Sequence, residues 1–147
     1  MEVTLEQLRR NEPIDLGVSE WFTVEQDLIN KFSELTTDDQ WIHVDIERAT
    51  AGPFGAPIAH GYLVASLISQ FLDELLVIPD RSLTVNYGID RLRFTGPVRA
   101  GDRIRMHMTV DDVREKGDGL ITSLGMRLEI EGRDKPAIVG TALFRFS

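Results

Sequence analysis

The sequence contains no cysteine among its 147 residues. Disulfides, thiol nucleophiles and cysteine metal sites are therefore excluded, and the absence fits a reducing compartment such as the cytoplasm. Cationic residues are in the minority, because 16 lysines and arginines stand against 24 acidic residues, which gives a formal net charge of −8. A surface of that sign disfavours sequence-independent binding to nucleic acid, which requires basic side chains to neutralise phosphates.

Long hydrophobic runs are also lacking. The most apolar stretch, residues 61–78, is interrupted by Gln70, Asp73 and Glu74, so we expect no membrane span and no membrane partner. The N-terminal residues lack the basic start and apolar centre of a signal peptide, which again favours a cytoplasmic protein. Because no linker or internal repeat interrupts the chain, we expect one domain over residues 1–147.

The first half of the sequence has helical character. Residues 1–15 predict a short N-terminal helix or a loose arm, and residues 17–22 a first strand. The pattern Thr23-Val24-Glu25-Gln26 is typical of a capping box and predicts a helix that ends near Leu35. Asp45 is expected to cap a further short helix.

A long apolar segment and a change of period define the fold class. Residues 62–76 are apolar on nearly every side, which predicts a buried central helix. After Asp80 the apolar period becomes two, as in strands with one buried face. Strands are predicted, with turn signals between them, at residues 83–94, 103–110, 120–130 and 138–146. A phase slip predicts a bulge near residues 88–90. Together these patterns predict an α+β fold in which a curved antiparallel sheet wraps around the central helix.

Asp38 and His43 are the first candidate functional residues. A histidine titrates near neutral pH, and a nearby carboxylate can fix its tautomer or share a water molecule with it, so the two form a candidate acid/base couple. Their spacing of five does not place them on one helical face, so the segment between them must turn. The alternative is that Asp38 or Asp39 caps a turn and His43 is a buried structural group whose polar atoms are satisfied.

His60 and Gly61 open the most apolar stretch. At a helix N-terminus the Gly61 N–H would be free to stabilise an oxygen that gains negative charge; alternatively the glycine permits tight packing and His60 orients the turn. A metal site made of His43, Asp45 and His60 would not follow a standard ligand spacing, so we expect no metal ion. His107, on the polar face of a strand, is expected to be an exposed surface residue.

Five arginines also cluster in the sequence, at Arg91, Arg93, Arg99, Arg103 and Arg105. They could bind a phosphorylated ligand, although solvated strand faces account better for most of them.

The motifs as a set resemble those of the MaoC-like dehydratases, also called R-specific enoyl-CoA hydratases. The segments that carry the resemblance are Asp38-x-x-x-x-His43, Pro57-Ile58-Ala59-His60-Gly61, Val85-Asn86-Tyr87-Gly88 and Leu92 to Asp102, and it extends from about Ser19 to Phe146. The loop before His43 departs from the family pattern: Thr37 replaces a glycine, Gln40 an asparagine and Trp41 a proline.

This resemblance implies a hot dog fold, a homodimer with active sites near its interface, an acyl-CoA thioester substrate and no cofactor. It implies that Asp38 and His43 hold the water that adds to the β-carbon of a trans-2-enoyl-CoA. The Gly61 N–H would polarise the thioester carbonyl, and Ser69, His60 and Asn86 would support the site.

The expected activity is (R)-specific hydration of an enoyl-CoA to a (3R)-3-hydroxyacyl-CoA. Two alternatives remain open on the same fold, namely an acyl-CoA thioesterase and a noncatalytic acyl-CoA-binding module.

Overall fold

The computed structural model describes residues 1–147 and contains six helices and six strands. The helices are α1 (Leu5–Arg9), α2 (Gln26–Thr36), α3 (Trp41–Val44), α4 (Ile46–Thr50), α5 (Gly61–Ser66) and α6 (Ile68–Leu75). The strands are β1 (Ile14–Val18), β2 (Phe22–Thr23), β3 (Thr84–Phe94), β4 (Arg103–Lys116), β5 (Gly119–Ile130) and β6 (Ile138–Phe146). The predicted α+β class is confirmed. None of the helices is both long and apolar enough to cross a lipid bilayer.

All strands belong to one antiparallel sheet with the order β1-β4-β5-β6-β3, and β2 pairs with the start of β4. Strand β3 is therefore an edge strand that pairs only with β6. Its register shifts between Asn86 and Gly88 and again between Asp90 and Arg93. The bulge predicted near residues 88–90 is confirmed, although the irregularity extends to both sides of that position.

The hydrophobic core lies between helices α5 and α6 and the inner face of the sheet. Alternate residues of β4, such as Ile104, Met106 and Met108, have no exposed surface and face the helices. From the helical side Phe71 is 1% exposed and meets the Phe22 ring edge to face at 6.4 Å. The expected sheet around a central helical segment is thus observed.

Two expectations for the central helix are wrong. The segment is broken at Leu67, between α5 and α6. At this break the Ser66 hydroxyl donates to the Leu63 carbonyl at 2.6 Å, and such a local bond competes with the helical backbone. The helix is also not buried on every side, because Tyr62 is 78% exposed.

The predicted capping box is also wrong. Thr23 belongs to strand β2, Glu25 is the N-cap of α2, and no side chain caps that end. The Gln26 side chain donates instead to Asn30 and to the backbone carbonyl of His43. A tertiary hydrogen bond therefore replaces the local one that the sequence suggested.

The predictions for the N-terminal region are partly confirmed. A short helix, α1, begins after Thr4, and its capping box with Gln7 is complete. The region is not a loose arm, because Val3 is 4% exposed and its N–H donates to the Val77 carbonyl. The single strand expected at residues 17–22 is replaced by the two short strands β1 and β2.

Candidate active site

A left-handed residue turns the chain just before Asp38. Thr37, the C-cap of α2, has φ 59° and ψ 20°. The backbone carbonyl of Asp38 then accepts the Ser33 hydroxyl at 2.8 Å and the His60 ring at 2.9 Å, while its carboxylate lies in an exposed residue. The αL conformation accounts for the glycine that the family pattern places at this position, because glycine adopts it without a Cβ clash.

His43 is held in one tautomer. It is 6% exposed, and its Nδ1 lies 2.6 Å from the Ile58 carbonyl oxygen. Because a carbonyl only accepts, Nδ1 carries the proton and Nε2 is left as an unprotonated acceptor. The Gln26 side chain holds the backbone of the same residue by donating to the His43 carbonyl at 2.8 Å.

His60 stacks on His43 in the opposite tautomer. The two ring centroids are 3.8 Å apart at an interplanar angle of 22°. Since its Nε2 faces the Asp38 carbonyl, that nitrogen must donate, and Nδ1 is bare, buried and without a partner. Phe32 closes the other side of the ring, with centroids 5.0 Å apart. His60 therefore fixes both the loop of Asp38 and the plane of His43.

The predicted couple converges. One Asp38 carboxylate oxygen and one ring nitrogen each from His43 and His60 lie within 4.8 Å of one another. A water that makes two hydrogen bonds of about 2.8 Å can bridge groups up to roughly 5.6 Å apart, so one water fits between the acid and the base. The structure thus supplies the turn that the five-residue spacing requires.

The same cluster is poorly suited to a metal ion. The two imidazoles are stacked, so their in-plane lone pairs lie side by side and do not converge at the distances of about 2.0–2.1 Å that a transition metal requires. Asp45, considered above as a third ligand, caps α4 instead by accepting the Arg48 N–H at 3.0 Å.

The protonation of His43 is set mainly by burial. Loss of solvent lowers the pKa of its imidazole below the ordinary 6.5, and the proximity of the His60 ring acts in the same direction. The Ile58 carbonyl and the Asp38 carboxylate act in the opposite direction, but do not reverse the effect. The ring is therefore neutral at pH 7 and available as a base.

Gly61 lies beside this cluster. It is the first residue of α5, its N–H has no acceptor within the helix, and the remaining backbone bonds do not use it. A Cβ at this position would lie 3.1 Å from the Phe94 ring, so the glycine also permits close packing. A cavity of about 340 Å³ adjoins it, lined by residues that include Phe54, Ile58 and Phe94.

Ser69 and Asn86 lie elsewhere. Both line a second cavity of about 440 Å³ between the helices and the edge strand β3, with Tyr62 and Tyr87 also in its wall. None of Asp38, His43, His60 or Gly61 lines that cavity. Within one chain, the structure therefore brings the principal predicted residues together and leaves these two supporting residues apart.

Sequence reasoning missed the groups that hold the couple in place. Gln26, Ser33 and the Ile58 carbonyl each bond to Asp38 or His43, and in every case one partner is a backbone carbonyl. Backbone acceptors leave no residue-specific signal in a sequence, so no motif could have identified these contacts.

The arginine cluster divides into two groups. Arg103 pairs with Glu131 and Arg105 with Glu129, both at 2.8 Å, as expected of solvated strand faces. The other three, Arg91, Arg93 and Arg99, form no ion pair with a carboxylate.

His107 is only partly exposed, and its Nε2 lies 2.8 Å from Asp15.

Thr37→Gly is expected to stabilise the fold. The left-handed conformation strains an L-residue by about 1–2 kcal/mol, and glycine removes this strain. Glycine also loses more conformational entropy on folding, which costs about 0.5–1 kcal/mol. We therefore expect the free energy of unfolding to rise by roughly 0.5–1 kcal/mol. Urea unfolding measures the difference. Thr36→Gly, one residue earlier and the last residue of α2, is the matched control and should destabilise by about 0.3–0.5 kcal/mol. Equal losses in both variants would contradict the assignment of strain to Thr37.

Stability is expected to fall as the pH decreases below 6.5. Because the pKa of His43 is lowered in the folded state, the unfolded chain binds the proton first, and the contribution is complete only above the unfolded value. The slope from this one group is at most about 1.4 kcal/mol per pH unit. His43→Gln should flatten the dependence of the unfolding free energy on pH, with Asp38 and His60 common to both proteins. Parallel curves would show that His43 is not the desolvated group.

Comparison with known proteins identifies the family. Residues 11–125 match the family described as MaoC like domain. The 3-hydroxyacyl-thioester dehydratase Z of Mycobacterium tuberculosis is 38% identical over 132 residues, which are 89% of this chain and 87% of that protein. The (R)-specific enoyl-CoA hydratase of Aeromonas caviae is 32% identical over 114 residues, 78% of this chain and 80% of that protein.

A solved structure gives the same result. The structural alignment with the (R)-hydratase from A. caviae covers 91% of this chain and 93% of that chain, with a TM-score of 0.72 and 27% sequence identity. The hot dog fold implied by the motifs is thereby confirmed. With a family match over most of its length and relatives named as dehydratases and hydratases, the chain belongs to the MaoC-like dehydratases, a family of hydro-lyase enzymes.

Proposed function

We propose that the protein is an (R)-specific enoyl-CoA hydratase that adds water reversibly to trans-2-enoyl-CoA and forms (3R)-3-hydroxyacyl-CoA. The observation that carries this proposal is the convergence of the Asp38 carboxylate with the ring nitrogens of His43 and His60 within 4.8 Å. The R stereochemistry is carried over from the relative named as an (R)-specific hydratase.

The chemistry needs one water and two proton transfers. Asp38 and the bare Nε2 of His43 hold the water, and its oxygen bonds to the β-carbon of the enoyl group. The couple takes one proton from that water and supplies one to the α-carbon, so that H and OH add across the double bond. The reverse sequence removes the α-proton and releases the hydroxyl group as water. Neutral His43 can begin the cycle as acceptor because burial lowers its pKa.

Gly61 supplies the electrostatic part of the mechanism. Addition at the β-carbon places negative charge on the thioester oxygen, and a backbone N–H without another partner stabilises that enolate. Gly61 follows directly after His60, whose ring contacts both members of the acid/base couple. A thioester carbonyl bound at the Gly61 N–H would therefore place the α- and β-carbons of the enoyl group near Asp38 and His43.

The choice of CoA as the carrier rests on charge. Arg91, Arg93 and Arg99 lack carboxylate partners in a chain of net charge −8. They belong to segments that flank Gly61, because Phe94 packs against that glycine and Arg99 forms an isolated bridge with Ile58. Phosphate groups of CoA are suitable partners for such guanidinium groups.

We also infer a homodimer that forms through β3. This edge strand carries a row of exposed apolar side chains, with Val85 41%, Tyr87 45% and Ile89 53% exposed. Tyr62, 78% exposed, extends the same apolar area onto α5 and borders the cavity that contains Ser69 and Asn86. An unpaired apolar strand edge favours pairing with another chain, and a second copy is the simplest occupant.

The activity is tested with purified protein and crotonyl-CoA or longer enoyl-CoA substrates, by the loss of the enoyl absorbance. The wild-type protein should convert them to the (3R)-hydroxy product. Asp38→Asn and His43→Gln should each lower kcat by about 10²–10⁴-fold, the usual contribution of a positioned acid or base. His107→Gln, which changes a histidine on the outer strand face, is the control and should retain activity.

Three outcomes would overturn the proposal. These are no turnover of any enoyl-CoA, turnover that is unchanged in both site variants, or release of free CoA from saturated acyl-CoA at the expense of hydration. The last result would identify a thioesterase.

The Gly61 N–H is tested by a pair of substitutions at the same position. Gly61→Ala keeps the N–H and adds a Cβ near Phe94, whereas Gly61→Pro adds a comparable contact and removes the N–H. Proline is acceptable at a first helical position, and His60 already has the extended backbone, φ −58° and ψ 138°, that a following proline requires. We expect Gly61→Pro to lose about 10²–10³-fold in kcat relative to Gly61→Ala. Equal activities would show that this amide does not contact the substrate.

The homodimer is tested by Ile89→Asp, which places a charge on the exposed face of β3. Sedimentation equilibrium should give a dimer for the wild-type protein and a monomer for this variant. Leu35→Asp is the matched control, because Leu35 is 80% exposed on α2 and should leave the dimer intact. A monomeric wild-type protein would contradict the inference.

A further inference from the structure

An ion pair remote from the couple holds the loop between β3 and β4. The guanidinium of Arg133, in the loop between β5 and β6, donates to the Pro97 carbonyl at 2.9 Å and meets both Asp102 carboxylate oxygens, at 2.8 and 3.0 Å. The same carboxylate accepts the Arg99 N–H at 2.7 Å. Arg133 and Asp102 are only 30% and 19% exposed, so solvent screens this pair less than the surface pairs of the sheet.

That loop is joined to the segment before α5. The Ala59 N–H donates to the Val98 carbonyl at 2.7 Å, and the Ala100 N–H donates to the Pro57 carbonyl at 2.8 Å. These two bonds enclose the isolated antiparallel bridge between Ile58 and Arg99. The position of Ile58 is thus set by the loop that Arg133 and Asp102 fasten.

Ile58 is the residue that orients the base. Its N–H donates to the Ile42 carbonyl at 2.9 Å, and its own carbonyl accepts the His43 Nδ1 proton at 2.6 Å. Displacement of Ile58 would lengthen that bond and free the imidazole to turn.

A second route begins at the same aspartate. The Val24 N–H donates to the Asp102 carbonyl at 2.9 Å, and the Gly101 N–H donates to the Val24 carbonyl at 2.8 Å. Val24 precedes α2, whose Gln26 holds the His43 backbone carbonyl. Asp102 is therefore linked by hydrogen bonds both to the segment that orients the His43 ring and to the segment that holds the His43 backbone.

We propose that Arg133 and Asp102 are positioning residues for His43, acting through the loop of residues 97–102 and the Ile58 carbonyl. Neither side chain touches the couple itself. This inference rests on the proposed function where turnover is concerned, but the orientation of the ring can be observed without turnover.

The experiment compares Arg133→Gln with Arg103→Gln. Arg103 directly follows Asp102 and forms an ion pair with Glu131 at 2.8 Å, but it does not contact the loop through its side chain, so it is the matched control. Two readouts are recorded well below the unfolding temperature. The first is the ¹H resonance of the His43 Nδ1 proton, assigned by its absence in His43→Gln, and the second is kcat and KM for enoyl-CoA hydration.

Arg133→Gln should move the Nδ1 resonance upfield and speed its exchange with water, and should lower kcat about tenfold or more with little change in KM. Arg103→Gln should alter neither readout. Arg133→Lys keeps the charge but not the forked contacts, and should give intermediate values; Asp102→Asn serves as the second variant if Arg133→Gln does not fold. An unchanged Nδ1 resonance in folded Arg133→Gln overturns the inference. If the wild-type protein hydrates no enoyl-CoA, the proposed function fails and the resonance alone decides the present one.

Discussion

The hydrogen bond from His43 Nδ1 to the Ile58 carbonyl is the interaction on which the site depends. At 2.6 Å it fixes the tautomer, and with it the nitrogen that remains free for a proton. Burial alone would favour a neutral ring but would not determine which of its two nitrogens carries the proton. The bond joins two segments that are distant along the chain, α3 and the extended residues before α5. The fold therefore determines which nitrogen of His43 is free through a main-chain oxygen, and the bridge between Ile58 and Arg99 helps to set its position.

Asp38, the other member of the candidate couple, is placed by different means. Asp38 occupies an exposed turn, and its carbonyl is held from two directions, by Ser33 on α2 and by His60 at the start of α5. A left-handed Thr37 allows the chain to reach this position. The departures from the family pattern are accommodated locally, since Trp41 packs over Gly52 and receives the Arg48 guanidinium at 4.3 Å. The loop therefore differs from the family pattern in its packing residues but retains Asp38 and His43.

The parts of the structure that could be predicted are those with a periodic or short-range cause. The alternation along β4 and β5 gave the strands, and Asp45 gave a helix start, because each depends on neighbours in sequence. The break at Leu67 and the use of Gln26 as a tertiary donor could not be predicted, since both depend on hydrogen bonds to backbone carbonyls.

The same reason explains which residues of the candidate site could be predicted. Asp38, His43 and Gly61 belong to recognisable motifs, whereas the groups that orient them are amide, hydroxyl and carbonyl groups without a pattern. Ser69 and Asn86, named from the family resemblance, line another cavity, between the helices and the edge strand β3.

The stacked imidazoles of His43 and His60 limit how much charge this pocket can hold. Two positive rings with centroids 3.8 Å apart would repel by about 4 kcal/mol at an effective dielectric constant of 20. That penalty corresponds to roughly three decades in proton concentration. The stacking therefore strongly disfavours the state in which both rings are cationic, so the geometry of the pocket itself limits the positive charge that can build up beside Asp38.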